Sequence, residues 1–175
     1  TSLPNTIVKN NVVQNCVETG IEGPYELVYH NTVKNTGENS VARYTGSTEA
    51  IYIKPTTEFE QKYIGNTIET RGLRCFSSYS NRDDEYKGIY ILNNSMNLKN
   101  TDASIACNYS RSDIEINCKK IKKIVIENNT GMMKDKKSVN IYTDKGYVMD
   151  YFSIHNPCMI GSVPEKARYC FNINN

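Results

Sequence analysis

The stretch IVIENNTG, Ile124–Gly131, places an alternating apolar run directly before two asparagines. Alternation of this kind predicts a β-strand, and asparagine is typical of the sharp turn that follows one. The pattern recurs along the chain in four close copies and one weaker copy, which are VKNNVV (Val8–Val13), VYHNTV (Val28–Val33), YIGNTI (Tyr63–Ile68), ILNNSM (Ile91–Met96) and SIHNPC (Ser153–Cys158). A strand and bend that return in this way favour a repeat architecture.

The second position of the bend in each copy is an asparagine that can anchor a measurement of the repeat. The six anchors are Asn11, Asn31, Asn66, Asn94, Asn129 and Asn156, and successive anchors are 20, 35, 28, 35 and 27 residues apart. Three strand-like runs fill the interval from Asn94 to Asn129: SIAC (Ser104–Cys107), DIEINC (Asp113–Cys118) and KIVIEN (Lys123–Asn128). The interval from Asn31 to Asn66 divides the same way, into VARY (Val41–Tyr44), AIYIK (Ala50–Lys54) and QKYIG (Gln61–Gly65). Three strands per repeat predict an all-β solenoid of about five to six triangular rungs.

Stacking of the rungs is a physical necessity, because a rung of about 30 residues buries too little apolar surface to fold alone. In a parallel stack each strand bonds to its equivalents about 4.8 Å away, so equivalent positions come into register. We expect an inward column of Val8, Val28, Ile91 and Ile126, with an adjoining asparagine ladder of Asn11, Asn31, Asn66, Asn94 and Asn129. Asparagine suits this place because it tolerates left-handed backbone and its amide offers both a donor and an acceptor. The alternative is that asparagine, present 22 times, is simply the common turn residue of this chain.

Composition limits the class of protein. We expect a single β-helix domain over residues 1–175, with residues 158–175 as a terminal strand or cap. The chain starts at Thr1 on what resembles the end of a strand, which predicts a fragment of a longer chain. The net charge is only +2 and both signs are dispersed, so neither nucleic acid nor a membrane is predicted as a partner. The first residues lack the pattern of a signal peptide. Six cysteines and two histidines show no metal-ligand spacing, so no metal or other cofactor is expected.

The repeated rungs and the three-strand intervals between them resemble the right-handed parallel β-helix of the pectate-lyase-like superfamily. Within it they are most similar to the β-helix domain of bacteriophage tailspikes and depolymerases. The resemblance covers the chain from Ile7 to Pro157 and rests on architecture rather than on a catalytic motif. It implies a homotrimer in the full-length protein, a place in a virion tail or outside the cell, and binding or cleavage of bacterial surface polysaccharide.

Hydrolysis of a polysaccharide needs two carboxyl groups, because one acts as an acid and the other as a base or nucleophile. The candidate catalytic residues lie in two segments, PTTEFEQ and SNRDDEY, and are Glu58, Glu60, Asp83, Asp84 and Glu85. Since the interior of a coil is filled by side chains, we expect the sugar in an elongated groove outside it.

Substrate-binding candidates accompany these carboxylates. Tyr79 and Arg82 lie beside the acidic triplet, and tyrosine stacks on sugar faces whereas arginine pairs with acidic sugars. Glu69, Arg71 and Arg74 form a second, smaller set.

Two alternatives stay open at this point. The segment Ser77–Gly88 also fits a solvated turn between strands, since clusters of charge usually lie in water. The whole chain also fits a noncatalytic structural or adhesive β-helix, or a secreted polysaccharide lyase or hydrolase, because a fold alone does not determine a function.

Overall fold

The computed structural model describes residues 5–36, 49–99, 112–132, 138–156 and 171–174. Within these ranges the regular structure is entirely β, and no helix occurs. The described strands, in chain order, are β1 (Ile7–Lys9), β2 (Val12–Gln14), β3 (Ile21–Gly23), β4 (Leu27–Tyr29), β5 (Thr32–Thr36), β6 (Glu49–Ile53), β7 (Glu60–Ile64), β8 (Thr67–Thr70), β9 (Arg74–Tyr86), β10 (Gly88–Leu92), β11 (Ser95–Leu98), β12 (Ser112–Ile121), β13 (Lys123–Glu127), β14 (Val139–Tyr142), β15 (Tyr151–His155) and β16 (Phe171–Asn174).

These strands form three parallel sheets. Sheet A has the order β1-β4-β7-β10-β13-β15, sheet B the order β2-β5-β8-β11, and sheet C the order β3-β6-β9-β12-β14-β16. From β1 to β13 the chain passes through sheets A, B and C in strict rotation, and each strand from β1 to β10 pairs in parallel with the strand three places along. This all-β topology of three parallel sheets is consistent with a parallel β-helix, as the sequence predicts.

The core lies between the sheets, and every second side chain along a strand points into it. In sheet A the inward column runs through Val8, Val28, Tyr63, Ile91, Ile126 and Ile154. Sheet C contributes a column of Ile21, Ile51, Phe76, Ile114 and Val139. The predicted column is therefore confirmed for its four members, and the structure adds Tyr63, whose ring meets that of Phe76 edge-on at 5.9 Å.

The asparagine ladder is confirmed, and it extends one step further than predicted. The backbone N–H and the side-chain Nδ2 of each anchor both donate to Oδ1 of the next anchor, at 2.8–3.1 Å, from Asn11 through to Asn156. Nδ2 of Asn66 donates its second proton to the carbonyl of Val28, a residue of the inward column, at 3.0 Å. Because Asn66 is only 1% exposed, these bonds replace those that water would make.

The bend itself depends on a second residue. Left-handed backbone falls on the residue immediately before the anchor, with φ of 52° at His30, 62° at Gly65, 55° at Asn93 and 55° at Asn128. The sequence-based expectation placed this conformation on the anchor itself and was wrong in that detail. The two tasks are divided, since one residue turns the chain and the next bonds along the stack.

Some predicted strands lie outside the described residues. VARY and SIAC belong to them, as do residues 158–170 of the expected cap, whereas β16 continues sheet C beside β14. The strand that directly follows each anchor, such as β5 or β8, was not singled out from the sequence. It is short and half polar, so its alternation is weaker than that of β7 or β13.

Candidate functional site

A groove of about 470 Å³ lies on the outside of sheet C and is called here the sheet C groove. One wall is the segment that follows β6, and the other is the exposed part of β9. The lining residues are Pro24, Tyr52, Lys54, Pro55, Thr56, Thr57, Glu58, Tyr79, Ser80, Asn81, Arg82, Asp84 and Tyr86. Four of the residues predicted from the sequence, Glu58, Tyr79, Arg82 and Asp84, are thereby brought to one place.

The wall formed by β9 arises from an irregularity in sheet C. Ser80 pairs with Cys118, but the next pair along the two strands joins Glu85 to Lys120, so β9 holds four residues where β12 holds one. The extra residues make a bulge, residues 81–84, whose side chains are all exposed. The segment Ser77–Gly88 is therefore neither a simple loop nor a plain turn, since most of it belongs to strand β9.

From Arg82 to Glu85 the side chains of β9 alternate between two directions. Asp83 extends over β12, where Lys119 Nζ contacts its Oδ1 at 2.9 Å, and Glu85 Oε2 contacts Lys122 Nζ at 3.0 Å. Arg82 and Asp84, the alternate residues, line the sheet C groove instead. The hydrogen bond from Lys119 lowers the pKa of Asp83, and that from Lys122 lowers the pKa of Glu85, so both carboxylates are held in the charged form.

Hydroxyl groups fix the base of the bulge. The hydroxyls of Ser80 and Tyr86 hydrogen-bond each other at 2.5 Å, and the backbone N–H of Arg82 donates to Ser80 Oγ at 3.3 Å. Tyr86 is only 4% exposed, so its ring is part of the core while its hydroxyl reaches the groove wall. These contacts tie the exposed bulge to the buried part of the sheet.

The opposite wall is a short connection between β6 and β7. Lys54 Nζ contacts Glu22 Oε1 at 2.7 Å, and the backbone N–H of Glu58 donates to Thr56 Oγ1 at 3.2 Å. The backbone of Thr56 also accepts a hydrogen bond from the N–H of Lys87 at 3.3 Å, which links this wall to the end of β9. The side chain of Glu58 takes part in no ion pair with another described residue.

Tyr52 contributes to the floor of the groove from the outer face of β6. Its register neighbours are Glu22 in β3 and Ser77 in β9. Partial burial raises the pKa of the Tyr52 hydroxyl, and the carboxylates of Glu49 and Glu22 add to this, so the hydroxyl stays protonated and able to donate.

The other sequence candidates lie away from the groove, in ion pairs of their own. Glu60 Oε1 contacts Lys123 Nζ at 2.8 Å on sheet A, and Glu69 Oε1 contacts Lys99 Nζ at 2.6 Å on sheet B. Arg71 follows β8, and its backbone N–H donates to the carbonyl of Thr36 at 3.1 Å.

Arg74 is buried at the beginning of β9, where it is 8% exposed. Its Nη1 contacts Glu49 Oε1 at 3.3 Å and its Nη2 contacts Glu115 Oε1 at 3.0 Å. Burial raises the pKa of Glu49, and the charge of Arg74 opposes that rise. Arg74 is thus positioned to compensate buried carboxylates, a structural role.

Sequence reasoning did not single out Tyr52, Lys54 or Ser80 for the site. Tyr52 and Lys54 lie two apart in AIYIK, so strand alternation placed them on the same outer face of β6. The alternation was visible in the sequence. The strand that lies beside β6, however, is known only from the register of sheet C.

Clusters of metal-ligating side chains and membrane-spanning helices do not occur among the described residues. Among those residues no group of three or more His, Cys, Asp or Glu side chains could hold a metal ion. None of their regular structure is a helix with the length and apolar character to cross a membrane.

Comparison with known proteins returned no matching family model, no matching curated protein and no matching solved structure.

Proposed function

We propose that this chain binds a bacterial surface polysaccharide in the sheet C groove. The observation that carries the proposal is the convergence of Glu58, Tyr79, Arg82 and Asp84, from two separate segments, on one external groove. Sugars have apolar ring faces and polar edges, and the groove offers tyrosine rings beside hydroxyl, carboxylate and guanidinium groups. Its volume of about 470 Å³ lies within the range of small-molecule sites.

The exposure of Tyr79 supports this assignment. Its side chain is 53% exposed on the groove wall, although an aromatic ring in water forgoes the free energy that burial would give. A ligand that covers the ring would recover that free energy.

The larger setting of the chain is part of the same proposal. Three parallel sheets visited in rotation support a right-handed parallel β-helix like those of the pectate-lyase-like superfamily. On that basis we propose a tailspike-like protein, homotrimeric in full length and located in a virion tail or outside the cell. Light scattering of the full-length protein should give the mass of a trimer, and a monomer mass would remove this part of the proposal.

Cleavage of the bound glycan is a second candidate function. It is favoured by Glu58 and Asp84, two carboxylates that line the groove from different segments. A retaining hydrolase would need its carboxyl groups about 5 Å apart when the substrate is bound, and an inverting one about 6.5–9.5 Å. The noncatalytic alternative is an adhesive coil that binds the same glycan without turnover.

A binding assay with a matched control tests the main proposal. Purified protein is titrated by calorimetry with bacterial capsular and lipopolysaccharide-derived glycans, alongside the variants Tyr79→Ala and Tyr151→Ala. The two tyrosines are 53% and 54% exposed, but Tyr151 lies in sheet A, away from the groove. An affinity that falls by about ten-fold in Tyr79→Ala and is kept in Tyr151→Ala supports the proposal. No binding of any glycan, or an equal fall in both variants, overturns it.

Cleavage is scored in the same samples. New reducing ends indicate hydrolysis, and absorbance from unsaturated uronates indicates elimination. If the pair is catalytic, Glu58→Gln and Asp84→Asn each lower turnover by about 100-fold or more while the glycan still binds. Binding without either product assigns the chain to the adhesive class.

A further inference from the structure

Charge in the sheet C groove points to the class of glycan that it would take. Two cations and two carboxylates line the groove, namely Lys54, Arg82, Glu58 and Asp84. Lys54 already contacts Glu22 at 2.7 Å, so a carboxylate of the protein offsets its charge. Arg82 therefore faces an incoming ligand together with two carboxylates that have no ion pair among the described residues.

The charged residues at the rim of the groove do not alter this balance of charge. Lys119 is paired with Asp83 and Lys122 with Glu85, so these two lysines at and just after the end of β12 are matched by carboxylates of β9. Lys120 is half-buried between them and lowers the pKa of both carboxylates, so its charge also acts on Asp83 and Glu85. The charges of these three lysines are thus offset by carboxylates of the protein itself.

An anionic glycan would meet a net repulsion at such a site. Each uronate, sialate, sulfate or phosphate group would come close to Glu58 or Asp84 with only Arg82 to offset the interaction. The remaining lining groups favour an uncharged sugar, because Tyr52, Tyr79 and Ser80 provide ring faces and hydroxyls that bond to hydroxyl and acetamido groups.

We infer that the sheet C groove selects a neutral glycan, one built from hexoses or N-acetylhexosamines without acidic groups. This inference rests on the proposed function, but its failure can be told apart from failure of that function. Recognition is by stacking and hydrogen bonds, and the carboxylates of Glu58 and Asp84 act against acidic chains.

The test is a panel of purified bacterial surface polysaccharides divided into neutral chains and chains that contain uronate or sialate. Binding confined to neutral members, with an affinity that changes by less than about two-fold between low and high salt, supports the inference. Binding of acidic members at equal or higher affinity overturns it and leaves the proposed function intact. Absence of binding across the whole panel overturns both.

A charge-removal variant supplies the second measurement. In Glu58→Gln/Asp84→Asn the repulsion is removed while the side chains keep their size, so affinity for acidic members of the panel should rise by about ten-fold or more. The matched control Glu69→Gln removes a carboxylate on sheet B, away from the groove, and should leave that affinity unchanged. An unchanged affinity in the double variant would mean that Glu58 and Asp84 do not exclude anions, and the inference would fall.

Discussion

The asparagine ladder and the sheet C groove are both rich in polar side chains, but they differ in how those side chains are satisfied. In the ladder Asn31, Asn66, Asn94 and Asn129 are each 1% exposed and bond to their equivalents above and below. In the groove the side chains of Arg82 and Asp84 are exposed and take part in no ion pair with another described residue. The ladder uses its polar groups to hold the coil, whereas the groove leaves its polar groups available to a ligand.

Regularity is the physical origin of this difference. Equivalent residues repeat about every 4.8 Å in a parallel stack, so a side chain that bonds to its own kind is satisfied in every interior rung. The groove forms where that repetition fails, at the bulge between Ser80 and Glu85. One strand shows both conditions, since β9 is buried from Arg74 to Ser78 and exposed from Tyr79 to Glu85 except at the half-buried Ser80.

The largest effect is expected when an interior member of the ladder is removed. Asn66→Ala deletes the acceptor of two bonds from Asn31 and the donor to the carbonyl of Val28. Buried groups lose their partners, so the free energy of unfolding should fall by about 4 kcal/mol, as measured by urea denaturation. Asn11→Ala, at the exposed end of the ladder, should cost about 1 kcal/mol or less. Equal losses in the two variants would show that burial does not distinguish the interior of the ladder from its end.

The buried ion pairs of Arg74 provide the second test. Arg74→Met removes the cation that contacts both Glu49 and Glu115, and the free energy of unfolding at pH 8 should fall by about 3 kcal/mol.

The pH dependence of that loss has a definite sign. Burial raises the pKa of Glu49 above its usual value of about 4.5, so the folded state binds this proton more tightly than the unfolded state. The stabilisation of the folded state that comes from protonated Glu49 is present at low pH, and it is lost as the pH rises through the raised pKa of Glu49. Without Arg74 the pKa rises further, so the deficit of Arg74→Met should shrink between pH 8 and pH 5. Adding Glu49→Gln should remove most of this pH dependence, and a deficit that grows on acidification would contradict the assignment.

A smaller effect is expected for the aromatic wall of the groove. Tyr79→Ala should lower glycan affinity by about ten-fold, because the ring no longer stacks on a sugar face. Its stability should change by less than about 0.5 kcal/mol, since the side chain is 53% exposed. Calorimetric titration and urea denaturation of the same preparation separate the two outcomes. A large loss of stability would assign Tyr79 to the coil rather than to the site.

The smallest effect is expected at the contact that holds the bulge on β12. Asp83→Ala removes an exposed ion pair with Lys119, so glycan affinity should fall by about two-fold to three-fold as Arg82 and Asp84 lose part of their positioning. The charge swap Asp83→Lys/Lys119→Asp should restore affinity, which a role of Asp83 in direct contact with sugar would not allow. Failure of the swap to restore binding would separate this contact from the groove.

The sequence foretells the ladder because its signal is local and repeated. Six anchors of one pattern identify the residues that must stack, and alternation identifies Val8, Val28, Ile91 and Ile126 as inward. Tyr63 was missed although it occupies the same position, because a tyrosine at that place does not look like a member of an aliphatic column. Its ring nevertheless fits beside Phe76, so volume rather than residue type decides membership.

The candidate site was predicted only in part, because its composition depends on how distant segments pack together. The sequence indicated a pool of carboxylates beside Tyr79 and Arg82, because such residue types suit sugar chemistry. It could not separate Asp84 from Asp83 and Glu85, since the direction of each side chain depends on how the bulge lies against β12. It also could not place Glu60, which differs from Glu58 by two residues but lies in sheet A against Lys123.

What the sequence by itself determined is thus the all-β class, the stacking of equivalent rungs and the identity of the ladder, because a repeated pattern admits only one register in which its apolar face is buried. The tertiary structure alone decided which polar residues share a groove. That choice depends on contacts between segments far apart in the chain, such as Glu22 with Lys54 and Asp83 with Lys119, and on a bulge whose length is visible only when β9 lies beside β12.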